Sequence, residues 1–330
     1  MPTLFRSNSA PRREASYVLP RDAIHLGTND LRLLALADRL WDRAPAGPVP
    51  DGGVREPMAF TIEVLPAMDG PRPAELLEER WDIGADAVEL SLGDHLHATI
   101  DSGRGCLAAH VSAVLVEEQP SLVARLLLET PAAVLLARRG YGVLHAGAVA
   151  GPAGAVVIRG GAGAGKSTMV AAALQSGLQV LGDETVLVSR SDPDDLISAV
   201  RDVTLLPDAT RLLGLEDAVT TVRTGGEEKD RLDLFPSSTP AVRRARRVAT
   251  VLLGSRHDGP ARLDPLTPEA FLREFLDGEI PQERWSGTPE HIAAHWSRAG
   301  AYRLSGAADL AGAVQLLTHL VTVASAAMFV

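Results

Sequence analysis

Three observations predict an α/β protein. An apolar strand run enters a Gly-rich loop and leaves it as an alanine-rich helix. Period-2 alternation recurs between residues 60 and 100. The 330 residues are 46% hydrophobic and 22% charged, enough apolar material for one large core or two ordinary ones. The expected organisation is a smaller α+β region over residues 1–120, suited to substrate or partner binding, and an α/β domain over 121–330.

In chain order, LRLLALADRLW places Leu31, Leu34, Leu36 and Leu40 at helical spacing, and the loop APAGPVPDGG behind it is a boundary. Phe60, Ile62 and Val64 then alternate with polar neighbours. So do Val88, Leu90 and Leu92, then Leu96, Ala98 and Ile100, with a turn from Ser102 to Gly105 before residues 106–116. This reads as a small antiparallel β region. From Ser121 to Arg139 the leucine spacing is helical, with a kink expected at Pro131. Next, VLHAGAVA at 143–150 and AVVIR at 155–159 flank the turn residues Gly151 to Gly154, as a hairpin would. A helix from Lys166 to Gln175 stops at Gly177, and short strands follow at 178–181 and 185–189. A strand at 248–253, helices near 267–277 and 288–298, and a terminal helix complete the chain.

The formal charge of -10 repels nucleic-acid backbones and anionic lipid, so nucleic acid is not an expected partner. One cysteine, Cys106, allows neither an intrachain disulfide nor a cysteine-rich metal site and fits a reducing cytoplasm. The opening MPTLFRSNSAPRRE lacks the apolar core of a signal peptide, so export is not expected. Leu310 to Val330 approaches membrane-span length but carries Gln315, Thr318, His319, Thr322 and Ser325. A buried terminal helix, and no membrane span, is therefore expected. The basic run at 242–247 reads as a solvated face ahead of an anionic-substrate contact. Thirty arginines accompany only two lysines, Lys166 and Lys229. A surviving lysine marks a place that needs a compact ammonium on a flexible stem.

Lys166 lies in the strongest motif. Gly160, four residues, then Gly165-Lys166-Ser167 match the Walker A pattern, with Val156 to Ile158 as the incoming strand. The glycines Gly160, Gly161, Gly163 and Gly165, interleaved with Ala162 and Ala164, let successive N–H groups turn towards phosphate oxygens. The helix N-terminus adds its partial positive charge. Lys166 would reach the β and γ phosphates and Ser167 would place its hydroxyl on Mg²⁺, with Thr168 beside the phosphates. Sixteen or so residues on, the strand LQVL ends in Gly182-Asp183-Glu184. A carboxylate there can join the Mg²⁺ shell or accept a proton from an attacking hydroxyl; the bland alternative is a pair of solvated turn acids.

The string LHAGAVAGPAGAVVIRGGAGAGKST followed by LQVLGDETVLV resembles the catalytic domain of bacterial HPr kinase/phosphorylase and its shorter relatives. The specific match covers residues 141–190, and a looser one runs to about 320. The resemblance implies a P-loop kinase domain with a mixed sheet and ATP-dependent phosphorylation of a hydroxyl. By position it makes Asp183 the general base, Glu184 the second acid near the metal, and His145 a histidine beside the phosphates. The family's Asp-Asp pair is Asp-Glu here and its Glu-x-Arg-Gly signature is absent, so the likeness is to stand-alone relatives rather than to HPr kinase itself.

Other residues keep two readings. Without the resemblance His145 is a core histidine in an apolar strand. Lys229, in a polar segment, is a solvated charge or the basic residue that relatives place near the active site. Arg211 is one candidate among many for transition-state charge stabilisation. His291 and His295, four apart, read as a helix-face pair rather than as metal ligands. The resulting expectation is a kinase that uses ATP and Mg²⁺, its acceptor a hydroxyl on a peptide, a protein or a small molecule, with homo-oligomerisation open. The alternative is a nucleotide-dependent binding switch with little turnover.

Overall fold

A computed structural model of the chain describes residues 12–19, 22–44, 56–66, 78–198, 202–224, 227–233, 244–254, 259–277, 283, 289–306 and 308–323. The chain divides into two compact units, residues 1–135 with 223–226, and residues 136–222 with 227–330.

The first unit runs β1 (Arg13–Leu19), β2 (Asp22–Thr28), α1 (Leu31–Leu40), β3 (Asp42–Arg43), β4 (Met58–Leu65), β5 (Glu79–Ile83), β6 (Ala87–Leu92), β7 (Leu96–Asp101) and β8 (Cys106–Ser112). Then come α2 (Ala113–Glu118), α3 (Pro120–Ala124), a π-helical turn (Arg125–Glu129) and α4 (Thr130–Arg138), which runs across the boundary at Leu135. The eight strands are ordered β3-β1-β2-β4-β8-β7-β6-β5. β4 is parallel to both β2 and β8, which corrects the antiparallel expectation. The chain crosses from β2 to β4 through α1, and reaches β8 only after a three-strand meander, so both neighbours of β4 arrive by crossovers.

The alternation falls as expected: Phe60, Ile62, Val64, Val88, Leu90, Leu92, Leu96, Ala98 and Ile100 are all buried. α1 starts on Asp30, whose carboxylate accepts from the Arg32 N–H. It buries Leu33, Leu34, Leu36, Ala37 and Leu40, while Leu31, expected on the apolar stripe, is exposed in the first turn. The opposite sheet face is open: Glu89, His97, Thr99 and Ala108 are exposed and line a concavity of about 480 Å³. Pro131 does not break its helix. The turn before it is wound as a π-helix, with Thr130 N–H bonding Arg125 C=O, and this absorbs the donor that proline lacks. The helical stretch Pro120–Arg138 is long and apolar enough to cross a membrane, a feature the sequence reading gave only to 310–330; most of its apolar window is buried in the fold.

The second unit continues with β9 (Tyr141–Leu144), β10 (Gly147–Gly151), β11 (Gly154–Arg159), α5 (Lys166–Gln175), β12 (Gln179–Gly182), β13 (Val186–Ser189), β14 (Asp195–Ser198) and β15 (Asp202–Leu205). Then follow α6 (Pro207–Leu213), β16 (Thr220–Thr224), β17 (Glu227–Asp233), β18 (Arg244–Leu253), β19 (Arg262–Pro265), α7 (Pro268–Asp277), α8 (Pro289–Trp296), β20 (Ala301–Ser305) and α9 (Leu310–Thr322). The main sheet is ordered β12-β10-β11-β18-β14-β13-β9, with β20 beside β18 and β19 beside β20. It is mixed: β18 is parallel to β11 and β20 and antiparallel to β14.

β10 and β11 form the expected hairpin. The run VLHAGAVA is nevertheless two strands, because β9 pairs with β13 while β10 pairs with β11 and β12, and His145 and Ala146 bridge them. Alternation along β11 sends Val156 and Ile158 into a core with Met169 and Val170 of α5 and Leu317 and Val321 of α9. Ala155 and Val157 face Phe271 and Phe275 of α7 and Ile292 and Trp296 of α8. Helices thus cover both faces of the parallel strands. The basic run is neutralised where it is described: Arg244 pairs with Asp195, Arg246 with Asp192 and Arg247 with Asp194. The terminal helix is described to Thr322 and buries Ala313, Val314, Leu317, Leu320 and Val321; Ser325 lies outside the described residues.

Candidate functional site

The loop between β11 and α5 turns at Gly163 and Gly165, with φ of 72° and 99°, a region that side chains other than glycine rarely enter. At Gly160 an added Cβ would lie 3.0 Å from Ala164 and 3.1 Å from Leu253, so close packing favours glycine there. At Gly161 and Gly163 it would meet nothing within 4 Å, so glycine there preserves open space. Gly161, Ala162 and Gly163 are exposed, and Ala164, Gly165, Ser167 and Thr168 half-buried. Gly165 caps α5 with no side chain, so the first N–H groups of the helix have no intrahelical acceptor and stay available to an anion.

Lys166 opens that helix and is buried. Its Nζ donates to the carbonyls of Gly160 at 2.9 Å and Gly161 at 3.2 Å. Burial holds its pKa below the ordinary lysine value; the carboxylate of Asp183 opposes that fall and Arg159 adds to it.

Asp183 follows β12 and is 1% exposed. Its Oδ2 accepts from the Thr204 N–H of β15 at 3.1 Å, while Oδ1 is buried without a hydrogen-bond partner. Burial, then the neighbouring Glu184 charge, push its pKa up to about 7, against the Thr204 N–H and the nearby Ser167 hydroxyl. A carboxyl poised near neutrality suits a general base.

Glu184 is the one residue other than glycine with positive φ, 61°, among the described residues. Thr185 N–H bonds Asp183 C=O at 2.7 Å across it, closing a three-residue turn of the strained hand. The turn sends neighbouring carboxyls different ways, Asp183 inward and Glu184 to a half-exposed position with Oε1 3.8 Å from Lys229 Nζ on β17. His145 Nδ1 lies 3.0 Å from the Glu184 carbonyl, which fixes the proton on Nδ1 and leaves Nε2 as an acceptor. Burial, then Lys166, lower the imidazole pKa below its ordinary 6.5, so the ring is neutral at pH 7.

The second unit therefore gathers His145, Lys166, Ser167, Asp183, Glu184 and Lys229. Arg211 stays apart: it is exposed on α6 and donates to the Pro207 carbonyl of its own helix. His295 bonds Asp194 and His291 is exposed, as a helix-face pair would be. Among the described residues no three His, Cys, Asp or Glu side chains converge on a metal position. A magnesium ion at a phosphate loop needs fewer, because phosphate oxygens and water complete its shell. The Ser167 hydroxyl, the unbonded Asp183 oxygen and Glu184 are hard oxygen donors that fit such an ion.

Three participants were not singled out from sequence. Thr204 contributes only a backbone N–H, which no side-chain pattern reveals. Glu283 is an isolated acid far along the chain, ion-paired to Arg159 in the interior. Arg159 carried a signal, a charged residue ending an apolar strand, but nothing in the sequence named its partner.

No protein-family model and no curated protein matches the chain. Among solved structures it is similar to the HPr(Ser) kinase/phosphatase from Coxiella burnetii, with 15% identity and a TM-score of 0.26 over 54% of this chain and 95% of that one. That likeness is too slight to carry an argument.

Proposed function

We propose that the chain is a phosphotransferase that binds ATP with Mg²⁺ at residues 160–168 and passes the γ-phosphate to a hydroxyl, a peptide or protein serine or threonine ahead of a small molecule. One observation carries this reading: an uncapped helix N-terminus bearing buried Lys166 adjoins a buried carboxyl, Asp183, with one oxygen unbonded. Burying a cation and an acid in one place is costly unless a ligand or a reaction uses them.

On nucleotide binding Lys166 exchanges the Gly160 and Gly161 carbonyls for β and γ phosphate oxygens, and the α5 N–H groups take others. The acceptor oxygen attacks the γ-phosphorus; its O–P bond forms as the bond to the β-bridging oxygen breaks, and the nucleoside diphosphate leaves. The acceptor proton passes to Asp183, ionised above about pH 7. Ser167 with Asp183 or Glu184 would hold the magnesium ion, which when bound supplies positive charge to the phosphates. His145 and Lys229 both contact the acid turn, one through the Glu184 carbonyl and one through its carboxylate. The single cysteine accords with a cytoplasmic setting.

The test is incubation with γ-labelled ATP and a panel of serine and threonine peptides and metabolites, with mass spectrometry to locate the phosphate. Asp183→Asn is expected to abolish transfer while calorimetry still detects nucleotide. Undiminished transfer by that variant removes Asp183 as base. Nucleotide binding without transfer by the unaltered chain favours the switch reading, and absence of binding ends both.

A further inference from the structure

Arg159 and Glu283 form an ion pair in the interior, 1% and 0% exposed. The guanidinium donates Nη1 to Glu283 Oε1 at 2.5 Å, Nη2 to Oε2 at 2.9 Å and Nε to the Phe275 carbonyl at 2.7 Å, and stacks 4.2 Å above the Phe275 ring. Stability alone is a weak reason to keep such a pair, since apolar residues of similar volume often serve as well.

What the pair holds is His145. Between β9 and β10 the chain leaves one set of strand partners for another, so His145 lies outside both ladders and its backbone groups need other partners. The ion pair provides them. Glu283 Oε1 accepts the His145 N–H at 2.6 Å, and Arg159 Nη1 donates to the His145 carbonyl at 3.5 Å. With its main chain held at both ends, the imidazole aims Nδ1 at the Glu184 carbonyl.

We infer that Arg159 and Glu283 are a positioning pair: acting through His145, they hold the Asp183–Glu184 turn in its strained form, with the Asp183 carboxyl turned inward. The effect on turnover rests on the phosphoryl-transfer reading; the positioning does not.

The experiment uses the full chain with ¹⁵N-labelled histidine, the His145 signals assigned by their loss in His145→Gln. The unaltered protein is expected to show His145 as the neutral Nδ1–H tautomer. In Glu283→Gln an amide NH2 faces Arg159 Nη2 where Oε2 accepted, so the ion pair is lost and its grip on the His145 main chain loosens. The Nδ1–H signature should give way to Nε2–H, and kcat should fall about 100-fold with ADP affinity unchanged. Should that variant fail to fold, the paired change Arg159→Met with Glu283→Leu decides: the melting temperature is expected to return while the tautomer and kcat stay altered. An Nε2–H tautomer in the unaltered protein, or recovery of Nδ1–H and kcat together with stability in the apolar pair, overturns the inference by making the ion pair structural only. If no acceptor is ever phosphorylated, the kinase reading fails and the tautomer measurement still decides the positioning.

Discussion

The two units differ in how many charged side chains they bury. In the first, Glu89, His97 and Thr99 of the sheet stand on an open face, and Asp22 is its one buried charged side chain among the described residues. In the second, Arg159, Lys166, Asp183 and Glu283 are drawn inside. Exposed charge is nearly free and carries little information about function, whereas buried charge costs several kcal/mol per ion and persists only where something holds it. In the second unit these groups converge on one loop and one turn, and burial there lowers the pKa of Lys166 and raises that of Asp183. Under the proposed function the chemistry belongs to the second unit, and the first is a surface whose occupant is open.

The contrast breaks most visibly at Lys166. Lys166→Ala should lower phosphoryl transfer by about 10³-fold or more while changing stability by less than about 2 kcal/mol, as read by labelled transfer and thermal melts. A matched collapse of both would reduce the lysine to a structural role.

Asp183 sharpens the comparison through pH. Its folded pKa of about 7 lies above the ordinary 3.8, so the native state holds an extra proton between those values. The stability this gives is fully present below about 3.8 and is lost as pH rises through about 7. Asp183→Asn should therefore melt increasingly above the unaltered protein as pH climbs towards 7 and then keep a constant lead. The kcat/KM of the unaltered protein should rise with pH through the same range, in the direction opposite to its stability.

Glu184→Gly should relax the strained turn and add about 1 kcal/mol of stability, while transfer falls because the variant lacks the Glu184 carboxylate and the turn no longer fixes Asp183. Denaturant melts and labelled transfer measure the two together, and equal gains in both would mean the strain has no use. The smallest effect belongs to the first unit: His97→Ala, on the open face, should leave stability within about 0.5 kcal/mol. A larger loss in a denaturant melt would show that this face is not free of structural duty.

Local rules made much of this legible. The strand, Gly-rich turn and helix of 154–175 read directly because phosphate loops need glycine at positive φ and a bare helix start, both properties of neighbouring residues. The apolar alternation of β4, β6 and β7 read directly for the same reason. Less visible were β14, β15, α6, β17 and β19, which are short or, in β17, largely polar and exist because partners distant in sequence complete their ladders or cover them. The direction of β4 was hidden too, since alternation has the same period in parallel and antiparallel strands.

By itself the sequence determined which residues can form a phosphate loop and where an acid pair follows it, because those requirements are met within a few consecutive residues. Only the tertiary structure decided that Asp183 turns inward against Thr204 while Glu184 turns out to Lys229, and that Glu283 reaches Arg159 and His145 from 124 and 138 positions away. Burial and charge pairing are properties of the folded surroundings, and no spacing along the chain encodes them.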